Sequence, residues 1–486
     1  MQQLKRLYLY LKNLDLYKSN IGLFLFLLLH LIVWTLIPTL TREALDSKID
    51  MSENYVWGKE FQLGYYKHPP FFAWIVGIWF RIFPTTNFYY FLLSQVNIIV
   101  GFIFVYLLSK EIIGKQKALI AVMLLEFIPY YNILGIKLNA NSILLSVWPA
   151  VIFFFYKAIK EDRWFFWVLT GISAAIALLS KYYSAMLFVA MIAFLLIRDN
   201  FNVAKTLKRK GIFFALGAFL LTMLPHFKWL WDTDFVIFKY VAEQRGERFI
   251  LSSIKFLSRP FLYLLPVVLI SKFALSLKLR KLLSLKFNNL NHLFLYSITF
   301  IPYIATFFVG LILTIETSGI WGMPIWFLFT TILMSNKISH NDRIAKAVLG
   351  FLLLSLIVGI SIRVSNLRIN ENYHFPGKKI AVALTEAWHA KYSSNLSYII
   401  GENRACYYTS FYSMDHPSVI ISFDYLVSPW VSKKDFTRKG GVIVCDYGNS
   451  GCALEARRSF KKYKLQWNKL EVDNYIFNYA LIPPYK

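Results

Sequence analysis

The sequence predicts a polytopic α-helical membrane protein that ends in a small α/β domain. Three observations lead there. Hydrophobic residues make up 57% of the chain and the mean hydropathy is +0.49, more than a soluble core can hide. Runs such as IGLFLFLLLHLIVWTLIPTL (21–40) and AVLGFLLLSLIVGISI (347–362) approach the roughly 20 apolar residues that cross a bilayer. Region 367–486, by contrast, is less hydrophobic and holds short strand-like pieces between polar turns.

The expected spans fall near residues 20–40, 88–108, 118–136, 142–158, 164–179, 183–197, 211–231, 260–274, 293–315, 320–335 and 345–365, about eleven in all. Segment 69–83 is apolar but shorter and opens with Pro69 and Pro70, so it reads as a re-entrant or interfacial helix. The links set the orientation. With the N-terminus in the cytoplasm, alternate links are KEIIGKQK (110–117), KAIKEDR (157–163), RDNFNVAKTLKRK (198–210), KFALSLKLRKLLSLK (272–286) and NKISHNDRIAK (336–346). Each carries several Lys or Arg, as cytoplasmic loops do. KLNAN, the turn at Lys181 and ETSG, which lie between them, are poor in cations. The link after residue 231 departs from the rule with Lys239, Arg245 and Arg248; an anion site on the outer face and a plain exception both account for it.

The net charge of +26 therefore belongs mainly to the links, not to one soluble face, which argues against a nucleic-acid binder. The first apolar run follows the basic, aromatic start MQQLKRLYLYLKNLDLYKS without a small-residue cleavage pattern, and reads as a retained anchor. An odd number of spans starting inside places loop 41–87 and region 367–486 on the outer face. There KIAVAL, LSYIIG, SVIIS and GGVIVCDY read as strands and TEAWHAKYSS as an intervening helix. Cys445 and Cys452 bracket DYGNSG, where a disulfide suits an extracytoplasmic domain, leaving Cys406 unpaired.

The first outer loop, TREALDSKIDMSENYVWGKEFQLGYYKHPP (41–70), holds Glu43, Asp46, Asp50, Glu53 and Glu60. Asp50 and Glu53 are spaced to share one helix face, and Lys67 and His68 stand directly before the double proline. A carboxylate can take the proton of an attacking hydroxyl while cations steady a departing phosphate. By composition alone the same residues also describe a solvated loop with salt bridges.

The order of these residues resembles a known family. D-x-x-E-x-x-x-W-G from Asp50 to Gly58, followed by GYYKHPPFFAW (64–74), is similar to the first outer loop of polyprenyl-phosphate-dependent glycosyltransferases of the GT-C class. Aminoarabinose transferases, dodecaprenyl-phosphate galacturonosyltransferases and protein O-mannosyltransferases are its relatives there. KLNANSILLSVWP (137–149), LLSKYYSAML (178–187), PHFKWL (225–230), SGIWGMPIW (318–326), FYSMDHPSVI (411–420) and SPWV (428–431) resemble later signposts of that family. The resemblance implies a GT-C fold, with a membrane domain over 1–366 that includes a catalytic loop at 41–87. It also implies a periplasmic α/β domain over 367–486.

Carried across position by position, Asp50 matches the catalytic base. Glu53 matches a neighbouring acid that orients the acceptor, binds a metal or braces the loop. His68 stands where aminoarabinose transferases place a lysine, and Lys67 where they place a glutamate assigned to metal binding. With a lysine there, the two cations are suited to neutralising the phosphate directly. No cofactor is firmly implied, and a divalent metal site of the relatives' design lacks its glutamate. Arg245 and Arg248 lie in a link where relatives supply a phosphate-binding arginine. Lys137, Asn139, Asn141 and Lys181 lie near outer span ends; the resemblance offers them a donor-pocket role, and snorkelling explains the two lysines as well. His226 reads as a hydrogen-bonded helix residue rather than a ligand.

The implied reaction is inverting transfer of a sugar from an undecaprenyl-type monophosphate to a membrane glycolipid such as lipid A or the lipopolysaccharide core. It would take place at the outer face of a bacterial inner membrane. Protein O-mannosylation differs only in the acceptor. A lipid-carrier flippase or transporter asks for charged residues at mid-membrane; these are sparse, with Glu126 and Glu316 near span ends. No Walker loop or dinucleotide glycine fingerprint occurs, which argues against ATP-driven transport and a Rossmann-bound nucleotide sugar. The partners implied are the lipid-linked donor, a glycolipid or protein acceptor and the bilayer, with no nucleic acid.

Overall fold

The computed structural model describes residues 20–243, 245–273, 289–335, 350, 357, 361 and 371–485. Helices α1 (Ile21–Thr41), α2 (Asp50–Glu60), α3 (Phe71–Ile82), α4 (Asn87–Ile113), α5 (Lys115–Leu125), α6 (Leu144–Glu161), α7 (Trp164–Ser180) and α8 (Ala185–Arg198) come first. They are followed by α9 (Lys210–Asp232), α10 (Val236–Glu243), α11 (Phe249–Phe273), α12 (Leu290–Ile312) and α13 (Phe329–Met334). The C-terminal region runs α14 (Gly377–His389), β1 (Tyr398–Gly401), α15 (Asn403–Tyr412), β2 (Ser418–Ile421), α16 (Lys433–Lys439) and β3 (Gly441–Asp446). It ends with α17 (Ser450–Ser459), β4 (Trp467–Val472) and β5 (Tyr475–Ile482).

The chain divides into two compact units. The first holds Met1–Ile37, Lys67–Phe71 and Ser94–Ser361; the second holds Pro38–Tyr66, Phe72–Leu93 and Ile362–Lys486. Most of the loop 41–87 therefore shares a unit with the C-terminal region, while Lys67 and His68 belong to the helical unit.

Among the described residues five helices are long and apolar enough to cross a membrane: α1, α4, α9, α11 (over Phe249–Lys272) and α12. Shorter apolar helices cover Phe71–Ile82, Trp164–Ser180, Tyr182–Arg198 and Gly319–Met334. The expected count of about eleven stays a reading of the sequence. All but three residues of the expected span at 345–365, most of the basic link at 272–286 and all of that at 336–346 lie outside the described residues.

Close helix crossings in the first unit rest on small residues, as in membrane bundles generally. A methyl built on Gly171 of α7 would sit 2.0 Å from the Ala215 carbonyl oxygen of α9, and one on Gly101 of α4 would sit 2.2 Å from that of Leu145. Glu126, just past α5, is fully buried. Its carboxylate meets His30 Nδ1 of α1 at 2.7 Å and accepts from Trp34 Nε1.

In the second unit, the strand order is β2-β1-β3-β5-β4. Strand β1 runs parallel to β2 and β3, whereas β5 is antiparallel to β3 and β4. Ile400, Ile420, Ile443 and Cys445 form a core on one face with Phe436 of α16, Ala456 of α17 and Phe460. Ile399, Val442 and Val444 alternate with these and are also buried, so α14 and α15 cover the other face. A disulfide joins Cys445 to Cys452, and Cys406 is free and buried.

One expected strand is a helix. KIAVAL lies inside α14, whose buried residues Ile380, Ala381, Leu384, Thr385 and Trp388 recur with helical spacing. Strands β4 and β5 were not expected; β4 is only half-buried and its residues are mixed in polarity.

Candidate active site

Helix α2 begins where Asp46, itself buried, folds back to accept from Met51 N at 2.9 Å and Lys48 N at 3.0 Å. Asp50 and Glu53 occupy its first turn, where negative charge complements the helix dipole. Asp50 is half-buried, while Glu53 is 6% exposed and accepts from Tyr407 Oη of α15 at 3.4 Å. Burial first, and the Glu53 charge second, hold the Tyr407 phenol well above its ordinary value. Tyr407 is thus a neutral donor at the acid.

The rest of α2 is clamped within its unit. Lys59 donates to the His416 carbonyl and lies 3.2 Å from Ser418 Oγ. Tyr55 reaches His416 Nδ1 at 3.2 Å and meets Phe411 edge-on at 4.9 Å. The FYSMDHPSVI stretch thus braces the acidic helix. Burial lowers the Lys59 pKa and raises that of Glu60. The two side chains lie 3.8 Å apart.

The Trp57–Gly58 pair also has a geometric reason. Tyr65 stacks on Trp57 at 5.0 Å and donates to its carbonyl at 2.6 Å. A methyl on Gly58 would fall 2.3 Å from the Ala73 carbonyl oxygen of α3, and one on Gly77 would fall 2.1 Å from that of Gly58. Helices α2 and α3 cross backbone on backbone.

In the helical unit a cavity of about 380 Å³ is lined by Lys67, His68 and Pro69 together with Asn141, Lys181, Tyr182, Tyr183, Tyr240, Thr306 and Trp321, among others. Lys181 donates to Asn141 Oδ1 and lies 5.1 Å from the Trp321 ring centre and 5.8 Å from that of Tyr183. Tyr183 Oη meets Thr306 Oγ1 at 2.8 Å, and Tyr182 Oη meets His226 Nε2 at 2.6 Å. The Tyr240 ring lies edge-on to His68 at 6.2 Å. Such a site, apolar with a few convergent polar groups, is suited to a small ligand or a lipid head.

The other expected site residues fall as follows. Asn139 braces its turn, accepting from Asn141 N at 2.9 Å and Ser142 N at 3.1 Å. The Lys137 carbonyl accepts from Ser142 Oγ at 2.7 Å. Neither residue is among those lining the cavity. Arg245 pairs backbone to backbone with Ile315, itself a lining residue, and Arg248 N donates to Glu316 Oε1 at 3.2 Å; both arginine side chains are exposed. Tyr182, Tyr183 and Trp321 stand inside the SKYYS and SGIWG strings but were not singled out, and Tyr240 and Thr306 carry no sequence signal. Among the described residues no group of three or more His, Cys, Asp or Glu is placed to hold a metal ion.

Residues 67–229 match the family model described as dolichyl-phosphate-mannose-protein mannosyltransferase. The fold is similar to that of ArnT from Cupriavidus metallidurans bound to undecaprenyl phosphate, with a TM-score of 0.62 at 14% identity, over 95% of this chain and 98% of that one. The apo state of the same ArnT gives a TM-score of 0.58 at 13% identity, over 94% and 97%. No curated protein sequence gives a significant match. The family match covers residues 67–229 alone, and the likeness to ArnT is one of fold. The architecture is ArnT-like: a helical part with five candidate membrane spans among the described residues and a small C-terminal sheet domain.

Proposed function

We propose that the chain is an inverting glycosyltransferase that takes its sugar from a polyprenyl monophosphate and works at the outer face of a bacterial inner membrane. The observation that carries this reading is the cavity holding Lys67, His68 and Lys181 in an aromatic, largely apolar lining. Cations in such surroundings suit the phosphate of a lipid-linked donor. The ArnT-like fold supports the reading, since the solved ArnT holds undecaprenyl phosphate.

In this mechanism Asp50 takes the proton of the acceptor hydroxyl, which attacks the anomeric carbon opposite the phosphate and inverts it. Where the acceptor is already an anionic phosphate, Asp50 orients it instead. Glu53, with Tyr407 as neutral donor, braces the loop or orients the acceptor. Lys67 and His68 stabilise the departing lipid phosphate, and Arg245 and Arg248, in the link after residue 231, add positive charge.

A membrane glycolipid of the lipid A or lipopolysaccharide-core kind is the first choice of acceptor. The description of the matching family favours a second reading, a protein hydroxyl. Mass spectrometry of envelope glycolipids and secreted proteins, with and without the gene, separates the two. The chemistry is tested with purified protein, a polyprenyl-phosphate sugar and an envelope extract. Asp50→Asn should abolish transfer while thermal unfolding stays unchanged. Full activity in that variant would remove Asp50 from the mechanism.

A further inference from the structure

We propose that Tyr182 supplies a neutral hydroxyl to the phosphate of the lipid-linked donor, and that the buried imidazole of His226 is the positioning group that aims it. This rests on the reading of the cavity as the donor site, which so far gives the phosphate to Lys67 and His68. Tyr182 lines the same cavity as those two cations. One short helix reaches both sides of it. From α10, Tyr240 lies edge-on to His68 at 6.2 Å, and Phe238 stacks on Tyr182 at 5.7 Å, 10° from parallel.

The phenol is fixed at its ring and at its oxygen. The half-buried ring packs against the cluster of Trp229, Leu230 and Ile237. The hydroxyl meets His226 Nε2 at 2.6 Å. His226 is 1% exposed and lies 11° from parallel to Trp229 with ring centres 5.5 Å apart, which fixes the imidazole in turn. With the proton on Nε2, the imidazole donates to the phenol oxygen and leaves the phenol hydrogen for an acceptor in the cavity. An ionised phosphate is all acceptor. It gains a second negative charge as the sugar departs, so a donor aimed beforehand bonds the transition state more strongly than the ground state. The other tautomer turns the phenol hydrogen to His226 and leaves an acceptor, which suits a sugar hydroxyl instead. The two arrangements differ in the part of the donor they bind.

The test measures binding of a short-chain polyprenyl monophosphate, and of the same lipid carrying a hexose, to the full-length protein in nanodiscs. Tyr182→Phe should weaken both lipids about tenfold, the worth of a hydrogen bond to a charged group. His226→Leu should weaken them by a similar factor, while His226→Gln, which keeps an N–H near the place of Nε2, should restore most of the loss. In a Tyr182→Phe background His226→Leu should add nothing, because the imidazole acts through the hydroxyl. Unchanged binding in Tyr182→Phe, or a loss confined to the hexose-bearing lipid, overturns the phosphate assignment and leaves the donor site standing. An additive loss from His226→Leu in the Tyr182→Phe background makes His226 a packing residue and overturns its positioning role. Failure of the parent protein to bind either lipid overturns the donor site and this inference together.

Discussion

Helix α2 and the cavity of the helical unit are built in opposite ways. Around α2 every turn is tied down: Asp46 closes its start, Tyr407 meets Glu53, Tyr55 and Lys59 hold the 416–418 segment, and Gly58 lies against Gly77. In the cavity, polar groups from distant segments converge on open space, and Lys181 is steered by one amide and two rings. A base must be held still to take a proton in the right direction. On the proposed function, the cavity must admit the donor and then let the lipid go. On the proposed mechanism, substitutions in the contacts that brace α2 should register as stability and those in the cavity as donor use, while Asp50 itself should register in the chemical step.

The largest expected effect breaks the rigid side. In Gly77→Ala the new methyl has only the Gly58 backbone to meet, so the helices must separate. The cost is about 3 kcal/mol or more, read as a lower unfolding temperature of the purified protein, with activity lost alongside. A change below about 0.5 kcal/mol would show that the crossing relaxes freely.

The cavity side should respond through the donor. Lys67→Ala and His68→Ala are each expected to lower kcat/KM for the lipid-linked sugar by roughly 10- to 100-fold, the worth of a charge-assisted hydrogen bond. Unfolding temperature should move little. Unchanged donor kinetics in both variants would remove them from phosphate binding.

How much of this was legible follows from the same contrast. The helices and the sheet core announced themselves through long apolar runs and through strings such as GGVIVCDY, because burial acts on many neighbouring residues at once. KIAVAL misled because a short, unbroken apolar run reads equally as a strand or as part of a helix, and its packing on α15 decides. Asp50, Glu53, Lys67 and His68 could be named because they sit in one short ordered string. Tyr240 and Thr306 could not: cavity residues come from segments far apart in the chain, and no local pattern records that two helices turn side chains toward one space. The Trp57–Gly58 pair was visible as a motif, but the reason for the glycine lies in Gly77, nineteen residues on.

A smaller effect tests the clamp at Glu53. Tyr407→Phe removes the hydroxyl that meets Glu53 at 3.4 Å and leaves the buried carboxylate one donor short. That should cost about 1 to 1.5 kcal/mol and lower kcat more than it changes KM for the donor. A rise in donor KM alone would place Tyr407 in donor binding and sink the distinction between the two regions.

The smallest effect comes from the sheet face that α2 does not share. Asp435 of α16 accepts from Tyr398 Oη at 2.5 Å, pairs with Lys439 Nζ at 2.9 Å and meets Arg438. Tyr398 first, then Lys439, hold its pKa well below the ordinary 3.8. A carboxylate depressed on folding adds stability above its unfolded value, and that stability is lost as pH falls through the folded one. Asp435→Asn should therefore cost about 0.5 to 1 kcal/mol at pH 7, and its difference from the parent should shrink as pH drops below 3.8. Transfer activity at pH 7 should stay near that of the parent. A loss of activity as large as that of Lys67→Ala would mean that the far face of the sheet reaches the chemistry, and that the division between a braced helix and an open cavity is too simple.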